Sequence, residues 1–198
     1  MRSRMEQGYD FGLVGLGVMG RNFILNVADH DFSAFGLDTD EEKVKALREE
    51  GAGKKVDGTT SKEEFVKKLS SPRKIMLLVP AGGPVDAVID SLLPLLDKGD
   101  LIIDGGNSYF PDTDRRFDYL QKQGIHFMGS GVSGGAKGAR FGPSIMPGGN
   151  QEAWYIVKPV FEATAAKVNG EPCVDFMGNG SAGNYVKMVH NGIEYGLM

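Results

Sequence analysis

Tyr9-Asp10-Phe11-Gly12-Leu13-Val14-Gly15-Leu16-Gly17-Val18-Met19-Gly20 is the stretch that decides the fold. Tyr9 to Val14 reads as a short buried strand, and a helix is expected from about Val18 to Ala28. Gly15, Gly17 and Gly20 fall between them with the GxGxxG spacing. That string is common by chance, but a strand before it and a helix after it are the context a dinucleotide fingerprint requires. Gly15 permits the tight turn, Gly17 lets backbone approach a pyrophosphate, and Gly20 lets helix and strand pack closely. Leu16, Val18 and Met19 complete the turn, whose helix N-terminus presents free N–H groups and a positive dipole end to phosphates.

Outward from the turn, strands and helices alternate. Ser33 to Leu37 reads as a second strand and Glu41 to Glu50 as a charged helix. Ser61 and Glu64 open another helix with a capping-box pattern. Ile75 to Val79 contains no polar residue and is the clearest buried strand. A helix from about Pro84 to Leu96, a strand Leu101 to Ile103, a helix Asp112 to Lys122 and a strand Ile125 to Met128 follow. Gln151 to Ala165 is expected as helix, Cys173 to Phe176 as strand, and the last helix begins near Ala182. Apolar strands separated by amphipathic helices indicate a mainly parallel sheet covered on both faces, an α/β doubly wound Rossmann-type domain. Residues 1–178 are expected to form this domain, and 179–198 the beginning of a long helix.

A second GxGxxG string, Gly129 to Gly134, is followed by Gly135, Gly138, Gly142 and Pro143. This is too rich in Gly and Pro for a helix, so the stretch reads as a loop closing around something small. Asp104-Gly105-Gly106-Asn107-Ser108 follows its strand at the carboxyl edge, where doubly wound sheets bind ligands.

Composition sets limits. The 198 residues are 41% hydrophobic with net charge -4, a globular pattern that argues against general binding to nucleic acid or anionic membranes. The single cysteine, Cys173, cannot form an internal disulfide, which points to a reducing compartment. The N-terminal ten residues lack the apolar stretch of a signal peptide, no apolar run has transmembrane length, and a cytoplasmic location is expected. No metal-ligand pattern stands out.

Two positions carry the chemistry. Asp38 stands at the end of the second strand, about twenty residues past the first glycine, where a carboxylate accepts from ribose hydroxyls and repels a 2′-phosphate. With Thr39 and Asp40 beside it and no Arg to grip a phosphate, NAD is favoured over NADP. Near the C-terminus Lys187, His190, Asn191 and Glu194 recur at i, i+3, i+4 and i+7, on one helix face. Alone this stripe reads as a solvated face. Beside it Val186, Val189, Ile193 and Leu197 form an apolar stripe.

Four strings together resemble the 6-phosphogluconate dehydrogenases: GLGVMGRN (15–22), DGGNSYFPDTDRR (104–116), GSGVSGGAKGARFGPSIMPGG (129–149) and YVKMVHNGIEYG (185–196). The resemblance covers essentially the whole chain, in order. It implies oxidative decarboxylation of 6-phosphogluconate to ribulose 5-phosphate and CO2, with NAD or NADP as hydride acceptor. Lys187 matches the general base, and Glu194 the acid that protonates C1 of the enediol. Ser133, Gly134, Gly135, His190, Asn191 and Tyr195 match substrate-holding positions. Asn107 matches the junction of substrate and nicotinamide. Coenzyme contacts carry over to Gly15 through Gly20, to Asp38, Thr39 and Asp40, and to Val79, Pro80 and Ala81.

The chain departs from the family pattern at the coenzyme. NADP-dependent members carry Asn-Arg-Thr where Asp38-Thr39-Asp40 stands here, and commonly Lys at Pro80. In the family the last helix continues into an all-helical domain that forms a homodimer and completes the sugar-phosphate site. The chain is therefore expected to be a piece that binds dinucleotide but turns substrate over poorly or not at all. Two other readings stand beside this one. Other β-hydroxyacid dehydrogenases share GxGxxG, a glycine-rich substrate loop and the helix lysine, but usually carry Asn at the position of His190. A non-catalytic dinucleotide-binding module would need none of the polar stripe.

Overall fold

The computed structural model describes residues 8–198. Phe11–Val14 forms β1, buried at every position, and the glycine turn leads into α1, Val18–Asp29. There follow β2 (Ala34–Leu37), α2 (Glu41–Glu50), β3 (Val56–Thr59), α3 (Lys62–Lys68) and β4 (Lys74–Leu77). Next come α4 (Gly83–Leu92), β5 (Leu101–Asp104), α5 (Phe110–Lys122) and β6 (His126–Ser133). The chain continues through α6 (Gly135–Phe141), β7 (Ser144–Gly149) and α7 (Gln151–Thr164). It ends with a small hairpin, β8 (Lys167–Val168) and β9 (Glu171–Pro172), and α8 (Ala182–Leu197).

The sheet order is β3-β2-β1-β4-β5-β6-β7, parallel from β3 through β6, with β7 antiparallel to β6. The chain reverses its direction of winding between β1 and β4, so a crevice opens at the carboxyl ends of those strands. Phe23, Ile24, Val44, Leu47, Trp154 and Phe161 pack one face through α1, α2 and α7. Phe65, Val85, Ile89, Leu92 and Leu120 pack the other through α3, α4 and α5. Neither apolar cluster includes a residue beyond Phe176.

Local chemistry explains most boundaries. Asp40 caps α2 by accepting from Glu42 N at 3.0 Å, and Ser61 caps α3 by accepting from Glu64 N at 3.3 Å. The capping box is half made, because the Glu64 carboxylate accepts instead from Thr59 Oγ1 at 2.6 Å. The helix expected to run to Leu96 ends at Leu92, with Leu93–Leu95 tightening to a 3-10 turn around Pro94, which has no N–H to donate.

Three expectations are corrected. The glycine-rich stretch after Met128 is not a loop: β6 continues to Ser133 and pairs with β7 from Met128↔Gly149 to Ser133↔Ser144. Nor is it free of helix, since α6 forms with Ala139 buried and Asn26 Nδ2 donating to Ala139 O at 3.1 Å. Tertiary contacts with α1 override the weak propensity of the glycines. Cys173 to Phe176 is not a strand; Val174 and Gly178 make only isolated bridges to Ile145 and Gly148 along the outer edge of β7. β3 was not anticipated, because Asp57 and Gly58 are poor strand formers that its edge position tolerates.

Candidate active site

The crevice begins at the glycine turn. Gly15 has φ +96°, a conformation that β-carbon-bearing residues rarely adopt. A Cβ on Gly17 would meet nothing within 4 Å, so no internal packing demands glycine there. What remains is room for a ligand to approach the backbone, at a helix N-terminus with no side-chain cap. The turn fits a pyrophosphate.

Asp38, 8% exposed, is held by two backbone donors. Its Oδ2 accepts from Leu16 N at 2.7 Å and its Oδ1 from Asp40 N at 3.0 Å. The carboxylate thus ties the glycine turn to the end of β2 and keeps lone pairs over for a ribose hydroxyl. Lys43 Nζ stands 3.3 Å from Asp38 Oδ1 and 3.9 Å from Asp40 Oδ2. Sequence reasoning missed this cation; its place one helical turn after Asp40 was the available signal. Thr39 and Asp40 are exposed at the same edge, and Pro80 and Ala81 are exposed in the turn that follows β4.

Away from the glycine turn, α8 packs on β6 and β7. Its buried residues are Gly183, Asn184 and Lys187. They sit over glycines: a Cβ on Gly131 would collide with the Lys187 side chain, and one on Gly129 with Asn184 Oδ1. The polarity is inverted relative to an ordinary amphipathic helix. Lys187 is 9% exposed, whereas Val189, Ile193 and Leu197 face outward. Burial holds the Lys187 ammonium below its ordinary pKa, and the Glu194 carboxylate offsets part of that shift.

Lys187, Asn107 and Asn191 line one cleft, together with Ser108, Asn184 and Met188. Ser133, Gly134 and Gly135 stand apart, at the junction of β6 and α6. His190, Glu194 and Tyr195 lie on the outer turns of α8; His190 Nδ1 is 3.3 Å from Asn191 Oδ1 and 3.6 Å from Glu194 Oε2. Sequence reasoning missed Asn184, although it extends the polar stripe one turn back from Lys187. Asn184 Nδ2 donates to Ser108 O at 3.3 Å, and its Oδ1 accepts from Thr113 Oγ1 at 3.3 Å. Asp114 accepts from Ser181 N at 3.0 Å and from Ser181 Oγ at 2.9 Å, fixing the start of α8 to α5.

A glycine turn at a helix N-terminus, a carboxylate at the end of β2 and a buried lysine beside the cleft after β5 are features of a nicotinamide-dinucleotide-binding domain of the dehydrogenase class. Residues 10–178 match the family model described as the NAD binding domain of 6-phosphogluconate dehydrogenase. The chain belongs to the 6-phosphogluconate dehydrogenase family. It is 58% identical over 190 residues to the decarboxylating 6-phosphogluconate dehydrogenase 1 of Saccharomyces cerevisiae, covering 96% of this chain and 39% of that one. With the decarboxylating enzyme of Haemophilus influenzae it shares 56% identity over 191 residues, 96% of this chain and 40% of the relative. The chain thus spans about two fifths of the length of these relatives. A Plasmodium falciparum 6-phosphogluconate dehydrogenase, solved with its cofactor NADP+ and with its substrate 6-phosphogluconate, superposes with TM-score 0.92 at 42% identity, over 94% of this chain and 40% of that one. A Mycobacterium tuberculosis 3-hydroxyisobutyrate dehydrogenase has the same fold, with TM-score 0.79 at 23% identity over 92% of this chain and 59% of that chain. Among the described residues no helix is long and apolar enough to cross a membrane.

Proposed function

We propose that the chain is the coenzyme-binding part, with the catalytic helix, of a cytoplasmic, homodimeric enzyme that oxidatively decarboxylates 6-phosphogluconate to ribulose 5-phosphate and CO2. The observation that carries this reading is Lys187: a buried amine with lowered pKa, opening into the cleft that Asn107 and Asn191 share. In its neutral form Lys187 takes the proton of the C3 hydroxyl. The dinucleotide supplies the acceptor for the C3 hydride. The ammonium then donates to the C3 carbonyl oxygen, which draws the electrons of the C1–C2 bond as the carboxylate leaves as CO2. Glu194, two helical turns and about 10 Å further along the axis, protonates the former C2, which is C1 of the five-carbon enediol. Asn107 and Asn191 hold substrate in the cleft, and Ser133, Gly134, Gly135, His190 and Tyr195 hold it from the neighbouring elements. A non-catalytic module offers no reason to bury Lys187.

The test is 6-phosphogluconate-dependent dinucleotide reduction and CO2 release by the protein at the full length of its relatives. Lys187→Ala is expected to lower kcat by a factor of about 10² or more, the range of a lost general base. Undiminished turnover in Lys187→Ala and Glu194→Ala would sink the reading. The 198-residue chain itself is expected to bind dinucleotide and to turn substrate over slowly, with the outer turns of α8 exposed.

For the coenzyme we infer a preference for NAD. Asp38 and Asp40 place negative charge where a 2′-phosphate would sit, and Lys43 is already engaged by both. Titration of the chain with each dinucleotide should show tighter binding of NAD+. The pair Asp38→Asn and Thr39→Arg should improve NADP+ affinity by roughly tenfold, the value of one charge-assisted phosphate contact. Tighter NADP+ binding by the unaltered chain would refute the preference.

A further inference from the structure

Arg116 is the largest fully buried side chain of the domain, 1% exposed, and it lines no part of the cleft. Its five N–H groups have five recorded acceptor contacts. Nε donates to Asp86 Oδ1 at 2.8 Å, and Nη2 donates to Asp86 Oδ2 at 3.3 Å and to Gly82 O at 3.0 Å. Nη1 donates to Asp104 Oδ2 and to Ser108 Oγ, both at 3.3 Å. Ser108 Oγ in turn donates to Asp104 Oδ2 at 2.6 Å. Three of these partners belong to two different walls of the crevice. Gly82 ends the Val79 to Ala81 turn after β4, and Asp104 and Ser108 bracket the loop after β5 that carries Asn107.

A doubly wound domain drapes its dinucleotide across the carboxyl edge, with the adenosine ribose at the end of β2 and the nicotinamide over the second half of the sheet. The two loops that Arg116 joins therefore flank the nicotinamide end, on the far side of the glycine turn from Asp38. The same arginine is within one turn of α5 from Thr113 and Asp114, which hold the start of α8. We propose that Arg116 is the positioning residue of the nicotinamide subsite: it fixes the Val79–Gly82 turn and the Asp104–Ser108 loop in one register, so that the ring finds a formed pocket beside Lys187. A lysine at this position could not reproduce the fork, because an ammonium is a point charge without the planar donor pairs.

This inference rests on the dinucleotide reading above, and the experiment separates the two. The 198-residue chain is titrated with NAD+ and ADP-ribose, and with NADP+ and 2′-phospho-ADP-ribose; the second member of each pair lacks the nicotinamide. Arg116→Lys and Ser108→Ala are compared with Arg115→Ala, which also loses a contact to Asp86 but touches neither loop. Arg116→Lys is expected to weaken dinucleotide binding roughly tenfold while the nicotinamide-free ligand binds as before. Ser108→Ala, which leaves the charges paired, should show a smaller loss of the same pattern and decides the matter should Arg116→Lys fail to fold. Arg115→Ala should alter neither ligand. Equal losses on both ligands, or no loss on either, overturn the positioning role and leave the dinucleotide reading intact. An unaltered chain that binds none of the four ligands overturns both.

Discussion

Lys187 shows how burial alone shifts a charged residue toward its neutral form. Its stem rests where Gly131 has no side chain, and burial rather than a neighbouring cation favours the neutral amine. Between that lowered pKa and the ordinary 10.5, the folded chain binds fewer protons at Lys187 than the unfolded chain does. Stability from this group therefore rises with pH across that window and is lost as pH falls through the folded value. Acetic anhydride labelling of Lys187 against pH, read by mass spectrometry, should give a midpoint below 10.5. Glu194→Gln should move the midpoint lower still, because the carboxylate favours the ammonium. A midpoint at or above the ordinary lysine value contradicts the assignment. Lys187 was legible because its stripe could be counted from the sequence. Arg116 was not, since its four partner residues lie in two separate stretches, Gly82 to Asp86 and Asp104 to Ser108, and no spacing connects them.

At the scale of elements, α8 and the sheet beneath it meet through glycine and small polar groups rather than through an apolar seam. A Cβ on Gly183 would press on Met146 O and Gly129 O and lie 2.7 Å from Gly148 N. Gly183→Ala is expected to lift α8, costing roughly 1–3 kcal/mol of local stability, the usual range for overpacking. Gly192→Ala, whose Cβ would meet nothing within 4 Å, should instead gain up to about 1 kcal/mol in helix propensity. Hydrogen exchange of the Asn184 to Val189 amides measures both. Equal protection in the two variants would show that the close approach is not what seats the helix. These contacts also explain the misread stretch from Gly129 to Gly149. Its glycines suggested a loop when read locally, yet they serve antiparallel pairing and the approach of α8, neither of which has a local signature.

For the whole molecule, the alternation of apolar strands with amphipathic helices and the placement of the glycine fingerprint made the doubly wound class legible. What the pattern missed were the segments stabilised mainly by partners distant in sequence: β3, paired only through β2, and α6, held against α1 and capped from Asn26. The same distinction bears on the ordering of the two apolar clusters, which close over the sheet using residues no later than Phe176. The helix that carries Lys187, Asn191 and Glu194 thus adds nothing to the hydrophobic interior that folds the domain. In evolutionary terms the outward turns of α8 are a margin beside the text: substitutions there are expected to leave selection on the folding scaffold unchanged.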